Sequence, residues 1–333
     1  YDTLHTRLAA VATADEAIAV VRDWNALRIR VGTMGSLAEV HFTQNVADEA
    51  AKLEKQFYDE NGPSIAELDI AFTRAVLAHR FASDIASRFG ELFVTRLKNA
   101  TLTFEPSIKQ LLVRESELCR QYNERTASAQ IVVDGETYNL STIGKLLIDL
   151  DPGVRRRAHE AMYAFLSEHA EELDAIFDQL VKLRDEKART LGYPSYTEFR
   201  YIEFGRVDYN AEDVERFRAQ VREHVVPLAM RLREAQKHRL GLAELTIADE
   251  KLQFPDGNPV ADGDHDWIVE RAHAMYSELS GETREFFQLM LDADLLDLKS
   301  RDNKATGGYC TSFSAYGLPF IFANFNRTTH DIE

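Results

Sequence analysis

The sequence predicts a mainly α-helical protein with a small β-hairpin near residues 130–140 and a small β-sheet at its C-terminal end. Helix breakers are scarce, since the 333 residues include 16 Gly and 8 Pro. Apolar residues recur at spacings of three and four over long stretches, which is typical of helices. Strand-like runs occur around residue 134 and after residue 307. A chain of this length can bury a core large enough for two or three subdomains.

The first third of the chain carries the pattern of successive helices. One helix is predicted from after Thr13 to residue 30, and a second over 35–60. The Asn-Gly-Pro-Ser run at 61–64 predicts a break, with Ser64 as the cap of the next helix. Pro106 suits the first position of a further helix, because its missing N–H would have no helical partner there.

The apolar period changes in the middle of the chain. An Asp134-Gly135 pair between two short β-type runs predicts a hairpin. Ser141 is the expected cap of a short helix. The Asp-Pro pair at 151–152 is expected to start the longest helix, which runs to about Leu191 and ends at Gly192.

Helices are also predicted for most of the C-terminal half. Asn210 is expected to cap a helix that runs to about Leu240 and kinks at Pro227. The segment 242–264 favours a loop, because it contains several Asp, Gly and Pro residues. Two further helices are predicted, at 265–280 and 282–297.

Charge and composition exclude several classes of protein. The net charge of −16 argues against a nucleic-acid-binding surface, which would need a basic face. Cys119 and Cys310 lie too far apart to form a disulfide framework, so a reducing compartment and a cytoplasmic location are expected. No signal peptide and no membrane-spanning run of apolar residues is recognised.

The ten histidines do not form a recognisable metal motif. A His-Glu-x-x-His pair on a helix would place two ligands and a base on one face, but His159-Glu160 lacks the second His. His330 and Glu333 match the first four positions of the reversed His-x-x-Glu-His motif, which leaves a reversed-motif zinc peptidase as a minor alternative. The chain is therefore assigned no catalytic residue and no metal ligand.

The last 30 residues carry the most specific pattern. Two nearly apolar strand-like runs, 308–313 and 319–325, follow a glycine pair at Gly307 and Gly308. Glycine permits close approach of another backbone, so this segment could add a peptide as an extra strand. A buried two-strand core element is the alternative explanation.

The segment KATGGYCTSFSAYGLPFIFANFNRTTHDIE resembles the region that precedes the zinc-binding helix of the oligoendopeptidase F and thimet-oligopeptidase group of zinc peptidases. Arg327 departs from that pattern, where glycine is more usual. Phrases further upstream, from about residue 110, are similar to the same group. The matching residues in the terminal segment are Lys304, Gly307, Gly308, Tyr309, Cys310, Pro319, Phe320, Asn324, Phe325, Asn326 and Thr328.

This resemblance implies an elongated helical bowl around a channel, with one catalytic zinc ion and hydrolysis of short peptides. The family binds zinc through the two His of His-Glu-x-x-His and a Glu further on, and the motif Glu serves as general base for the zinc-bound water. These residues are expected beyond Glu333. The chain is thus expected to end before the zinc helix, and the isolated chain is expected to be inactive.

The resemblance also implies a division of the chain and a substrate-binding segment. We expect an N-terminal helical region at 1–108, a family-like helical domain with the hairpin at 109–185, and the first part of the catalytic domain at 186–333. An edge strand near 320–326 is expected to align the peptide. The expected substrate-binding residues are Gly307, Gly308, Tyr309, Phe322, Ala323, Asn324, Phe325 and Asn326.

The expected partners are short peptides and the C-terminal remainder of the same catalytic domain, with no nucleic acid and no membrane. The main alternative is a non-catalytic helical module that binds peptides or acts as a scaffold on the same framework. A His-Glu-x-x-His motif in the residues encoded next would favour the peptidase, and its absence would favour the module.

Overall fold

The computed structural model describes residues 1–328 and Asp331, and this part of the chain is mainly helical, as predicted. Its five strands are β1 Ile131–Val133, β2 Glu136–Tyr138, β3 Leu296–Lys299, β4 Tyr309–Phe313 and β5 Leu318–Phe325. Its helices are α1 Asp2–Ala10, α2 Ala14–Gln44, α3 Glu49–Leu77, α4 Ala82–Phe89, α5 Glu91–Leu102, α6 Lys109–Ala127, α7 Pro152–Glu168, α8 Ala170–Thr190, α9 Tyr196–Glu203, α10 Ala211–Gln220, α11 Val226–Arg239, α12 His265–Leu279 and α13 Gly281–Asp292.

The chain divides into two compact units, each built from three separate segments. The first unit comprises Tyr1–Ala38, Leu53–Gln121 and Ala175–Gln220. The second comprises Glu39–Lys52, Tyr122–Asp174 and Val221–Glu333. The expected division at residues 108 and 185 stays a prediction.

The first unit is organised around buried aromatic side chains. Trp24 and Phe72 are fully buried, and their ring centroids lie 5.1 Å apart. The indole N–H of Trp24 donates to Asp69 over 2.7 Å, so the buried nitrogen keeps a hydrogen bond. Aliphatic residues of α1 to α5 complete this core, including Leu8, Val20, Val21, Val76, Ile85 and Leu97.

Helix α3 runs straight through the predicted break at 61–64, so that prediction is wrong. Pro63 lies inside the helix, and Ser64 does not cap anything. An internal proline costs about 3 kcal/mol in helix propensity. Asp59, Pro63 and Ile70 are all buried, and their spacing of four and seven places them on one helical face. Packing along this face outweighs the penalty of the proline.

Three other element boundaries also differ from the prediction. Helix α2 is continuous to Gln44, without the expected interruption after residue 30. The long helix expected over 152–191 is divided at His169 into α7 and α8. Helix α13 ends at Asp292 and is followed by β3, where the sequence predicted helix to residue 297. Leu298 is buried in the strand, and this burial outweighs the local preference of the segment for a helix.

The hairpin is confirmed and belongs to the core of the second unit. Asp134 and Gly135 have φ values of 51° and 86°, as the two central residues of a type I′ turn require. Ile131 pairs with Tyr138 in the antiparallel ladder. The inward side of the hairpin packs with Ile143, Leu147 and Ala158.

Two of the four predicted N-terminal caps, Asp151 and Asn210, are present. Asp151 Oδ1 accepts from the N–H of Gly153 over 2.7 Å at the start of α7. Asn210 Oδ1 accepts from the N–H of Glu212 over 2.9 Å at the start of α10. Ser141 makes no capping bond with its side chain. Asn139 takes this role instead, because its Oδ1 accepts from the N–H groups of Ser141 and Thr142 over 2.9 and 2.8 Å.

The C-terminal sheet has the strand order β3-β5-β4. Strand β5 pairs with β3 in parallel and with β4 in antiparallel orientation. The prediction of an edge strand near 320–326 is therefore wrong, since β5 is the central strand and pairs with β4 up to Phe322 and with β3 from Ile321 to Phe325. Sequence reasoning recognised two strands here and missed β3, which pairs with β5 on the side opposite to β4.

The turn between α2 and α3 is tied to the segment that leads into β4. The N–H of Val46 donates to the carbonyl of Asn303, and the N–H of Ala305 donates to the carbonyl of Thr43, both over 2.8 Å. These bonds set the start of β4 against the C-terminal end of α2.

Candidate functional site

The free backbone edge of the sheet lies on β4. The N–H of Ile321 donates to the carbonyl of Leu295 over 2.9 Å, so the backbone of Ile321 faces β3. Cys310 is opposite Ile321 in the antiparallel register with β4. Backbone groups alternate in direction along an antiparallel strand, so the N–H and C=O of Cys310 and Ser312 point away from β5. Within the described residues, no further strand pairs with this outer edge.

The side chain of Tyr309 fixes β4 to the rest of the second unit. Its ring stacks on Phe322 at a centroid distance of 4.8 Å and an interplanar angle of 10°. Its hydroxyl lies 2.6 Å from Thr43 Oγ1. Burial raises the pKa of Tyr309 to about 12, although the hydrogen bond with Thr43 opposes this. The hydroxyl group of Tyr309 therefore stays protonated at neutral pH, and its ring holds β4 in place.

The two predicted glycines serve the backbone geometry next to β4. Gly307 has a φ of 81°, which favours glycine. A Cβ on Gly308 would lie 3.1 Å from the carbonyl oxygen of Phe322 and 3.7 Å from Cα of Ala323. The absence of a side chain at Gly308 thus allows β5 to approach. Its role in substrate binding stays a prediction.

Lys304 forms a buried cluster that joins β3 and β5. Its Nζ donates to the carbonyls of Asp297, Lys299 and Ala323 over 3.0, 2.9 and 2.5 Å, and to Asp297 Oδ1 over 2.9 Å. The same nitrogen lies 4.4 Å from the centroid of the Phe322 ring. Burial lowers the pKa of Lys304, while the carboxylate of Asp297 opposes this.

Asp297 completes the charge balance of this cluster. Burial alone would raise the pKa of its carboxyl group, but hydrogen bonds from Arg301 and Lys304 outweigh burial and lower it. Arg301 donates to both carboxylate oxygens over 2.7 and 2.8 Å. The cluster is thus an ion pair in which each buried charge has a partner.

The two predicted asparagines hold loops around the sheet. Asn324 Nδ2 donates to the carbonyls of Ala305 and Gly307 over 2.9 and 2.8 Å. Asn326 Nδ2 donates to the carbonyl of Ser141 over 2.9 Å. The amide nitrogens of both residues are therefore engaged with backbone, which leaves them a positioning role.

The remaining predicted site residues, Phe322, Ala323 and Phe325, lie on β5. Phe322 is buried, and Ala323 and Phe325 are half-buried. The ring of Phe325 lies 5.7 Å from that of His265. The register of β4 and β5 brings the segment 307–309 beside 322–324, so the two predicted groups are neighbours in the sheet.

The turn after β5 depends on a residue that sequence reasoning did not single out. Asp331 accepts from the N–H of Asn326 over 3.0 and 3.1 Å and from the N–H of Arg327 over 2.6 Å. Arg327 has a φ of 67°.

Thr43 was also missed, because its partner Tyr309 is 266 positions away in sequence. Asp297 was missed because the segment 282–297 was predicted to be helical, whereas Asp297 lies in β3 and pairs with Arg301 and Lys304. Only the fold reveals these contacts.

A cleft of about 660 Å³ lies next to this turn, within the second unit. Its lining includes His265, Lys299, Phe325, Arg327 and Asp331. His330 and Glu333, the residues of the reversed motif, lie outside the described residues.

The described residues do not supply a metal site. In residues 1–328 and Asp331, no three His, Cys, Asp or Glu side chains are grouped so that they could hold a metal ion. Over the same residues, no helix combines the length and apolar character that crossing a membrane requires.

Comparisons with known proteins agree with this architecture. No curated protein matches the chain. A protein described as an oligoendopeptidase F from Bacillus anthracis str. Ames is 37% identical with a TM-score of 0.97, over 99% of this chain and 61% of its own. PZ peptidase A, solved with an inhibitor, is 38% identical with a TM-score of 0.97, over 99% of this chain and 59% of its own. The chain therefore spans about three fifths of the length of these relatives.

A more distant relative shows the fold alone. The oligoendopeptidase-F of Enterococcus faecium is 16% identical with a TM-score of 0.54, over 88% of this chain and 59% of its own. Two family models match directly: the Peptidase M3 N-terminal domain over residues 1–104, and Peptidase family M3 over residues 146–253. These matches confirm the resemblance found in the sequence, and the chain belongs to peptidase family M3.

Proposed function

We propose that this chain is part of a zinc-dependent, cytoplasmic oligopeptidase that hydrolyses short peptides and aligns them along the outer edge of β4. The observation that carries this proposal is the free edge itself, where Cys310 and Ser312 direct backbone N–H and C=O groups away from β5. An extended peptide can add to such an edge through main-chain hydrogen bonds, which bind peptides of many sequences.

This edge replaces the one expected from the sequence. Strand β5 contributes by holding β4 in place, through the stack of Phe322 on Tyr309 and the amide bonds of Asn324. The rigid pairing of β4 with β5 presents its outer groups in a preformed line, and preorganisation lowers the entropy lost when a peptide binds. The second unit therefore supplies substrate alignment.

Zinc dependence is proposed from family membership. By resemblance to the family, the zinc ligands are expected beyond Glu333. The isolated 333-residue chain is accordingly expected to bind no zinc tightly and to hydrolyse no peptide. Stoichiometric zinc in a metal analysis of this chain would contradict that expectation.

The full-length protein is predicted to hydrolyse peptides only when zinc is bound. We expect it to cleave a fluorescence-quenched oligopeptide, and to lose this activity with a chelator and regain it when zinc is added. Peptide binding without hydrolysis at any zinc concentration would favour the non-catalytic module. Hydrolysis that continues after complete metal removal would refute zinc dependence.

The outer edge can be tested in the same assay. Ser312→Pro removes an outward N–H, a position where an edge strand tolerates proline. We expect kcat/KM to fall about tenfold, the effect of one lost hydrogen bond of roughly 1.4 kcal/mol. Ser312→Ala keeps the N–H and is expected to retain most of the activity. Equal activity of both variants would argue against a peptide on this edge.

A further inference from the structure

The two faces of strand β4 carry different side chains. Tyr309 and Thr311 are half-buried and Phe313 is buried, so their face lies on the core side of the sheet. Cys310 and Ser312 alternate with them along the strand and are exposed. Successive side chains of a strand point to opposite faces, so Cys310 and Ser312 share the other face. The two residues with outward backbone groups are thus also the ones in β4 with exposed side chains.

The side chain of Cys310 ends a row that crosses all three strands of the sheet. Cys310 is opposite Ile321, and Ile321 is opposite Leu296 of β3. Opposed residues of neighbouring strands carry their side chains on the same face, so these three lie side by side. Leu296 and Ile321 are half-buried. A thiol behaves as a small apolar side chain, so the row is apolar throughout and most exposed at the edge.

The row that passes through Ser312 is shorter and more polar. Ser312 is opposite Pro319 near the start of β5, whereas the pairing of β3 with β5 begins at Ile321. The hydroxyl of Ser312 lies 3.3 Å from that of Ser314. The exposed face of β4 therefore offers an apolar row at Cys310 and, two residues further on, a short polar one.

A peptide on the outer edge of β4 would add one side chain to each row. The peptide strand would lie about 4.8 Å from β4, bound by the outward backbone groups of Cys310 and Ser312. Its residue opposite Cys310 carries its side chain on the face of the thiol, whether the peptide runs parallel or antiparallel to β4. The residue two places along lies beside Ser312, and the residue between them points to the core side.

The small side chain of Cys310 leaves room for a large one next to it. A Leu or Phe side chain of the peptide can extend over the thiol towards Ile321 on the next strand. This contact would remove apolar surface of the peptide, Cys310 and Ile321 from water, which favours binding. A charged side chain at the same place would lose water without gaining a polar partner from this row.

We propose that Cys310 is a specificity-determining residue, which selects peptides with a large apolar side chain at the residue opposite it on the edge. This inference rests on the proposed peptidase function. The position beside Ser312 accepts small and polar side chains as well. The outer edge of β4 therefore reads one side chain closely and the next one on the same face loosely.

A peptide series measures this preference in the zinc-loaded, full-length enzyme. Quenched oligopeptides carry Leu, Ala or Asp at one position at a time, and mass spectrometry of the products numbers each position from the cleaved bond. At the selective position, we expect Leu to exceed Ala by about tenfold in kcat/KM, mainly through KM. Asp at that position is expected to give the lowest value.

Bulky variants assign the selective position to Cys310. Cys310→Leu fills the space over the thiol, so peptides with Leu at that position are expected to lose about tenfold in kcat/KM. Peptides with Ala there are expected to lose much less. Cys310 is exposed, so the larger side chain needs no space in the core. Ser312→Leu is the matched control on the same face, and its main effect is expected at the peptide position two residues away.

The outcomes separate this inference from the proposed function. Equal losses for the Leu and Ala peptides in Cys310→Leu would overturn the selective role of Cys310 and leave the peptidase function standing. Bulky variants at Cys310 and Ser312 that act on the same peptide position, or on adjacent positions, would overturn it as well. If the full-length protein cleaves no peptide with zinc present, the proposed function itself fails.

Discussion

At the scale of single residues, Lys304 shows how a buried charge can hold together the sheet that carries the candidate edge. Its side chain is fully buried, and its ammonium group joins three carbonyls and one carboxylate from β3 and β5. The resemblance of the terminal segment to the family includes this lysine, but it gives no role for it. In the structure its ammonium group lies between β3 and β5, and β5 in turn pairs with β4, which carries the free edge.

Removal of this ammonium group should destabilise the protein strongly. Lys304→Met leaves Asp297 with one fewer partner and leaves three carbonyls without their donor. We expect a loss of roughly 3–5 kcal/mol in the free energy of unfolding, measured by urea denaturation. Lys299→Met is the matched control, because Lys299 is exposed and should contribute less than about 1 kcal/mol. Similar losses in both variants would contradict this role.

A buried histidine in α7 should make stability depend on pH. His159 is buried, and neither ring nitrogen has a hydrogen-bond partner among the described residues. Burial lowers the pKa of His159, and the nearby Lys251 adds to this effect, while Asp249 opposes it. The unfolded chain thus takes up a proton at a higher pH than the folded chain does, so folding is favoured above about pH 6.5 and loses stability as pH falls below it.

The comparison variant for this prediction is His159→Phe. Phenylalanine keeps a ring beside Tyr163, whose ring lies 6.2 Å from that of His159, and it has no proton to gain. Urea denaturation at pH 7.5 and pH 5.5 should show a smaller loss of stability for the variant than for the parent. If acid destabilises both proteins equally, His159 is not the group responsible.

At the scale of elements, local chemistry was enough to predict the hairpin and several helix starts. Asp134 and Gly135 adopt the turn that their backbone preferences require, and Asp151 caps α7 as its position suggests. Such features depend on residues within a few positions of one another, so the sequence alone reveals them. The predictions failed where distant packing decides the outcome.

Helix α3 and strand β3 illustrate those failures. A proline at position 63 favours a break locally, but burial on one helical face keeps α3 intact. Strand β3 forms because β5 is available as a parallel partner, and parallel pairing joins segments that are distant in sequence. The same limit applies to the candidate site. Its residues could be recognised by resemblance, but the strand with the free edge could be identified only from the order of the strands in the sheet.

At the scale of the whole molecule, the second unit exposes large apolar side chains on three helices. They include Leu232 on α11, Leu279 on α12 and Phe286 on α13, with exposed fractions of 63%, 70% and 50%. Association with a partner or with other copies removes such apolar side chains from water. The solved relatives are longer than this chain, which makes the remainder of the catalytic domain the expected partner.

The isolated chain should therefore self-associate, and the remainder of the domain should suppress this. We expect light scattering to detect oligomers or aggregates of residues 1–333. Co-expression with the rest of the protein as a separate fragment should yield a defined complex. A stable monomer that does not bind the second fragment would contradict this expectation. The control is the full-length protein, which should scatter light as a single species.

The ties between α2 and the start of β4 also have a consequence for the order of folding. The hydroxyls of Thr43 and Tyr309 belong to residues 266 positions apart. Closing a loop of that length costs on the order of 5 kcal/mol in chain entropy before any contact is gained. A ribosome adds about 5–20 residues per second, so Tyr309 is synthesised roughly 13–50 seconds after Thr43 at the C-terminal end of α2. The outer edge of β4 is thus among the last parts of the second unit to fold, and the C-terminal end of α2 is the segment that a chaperone would need to protect for longest.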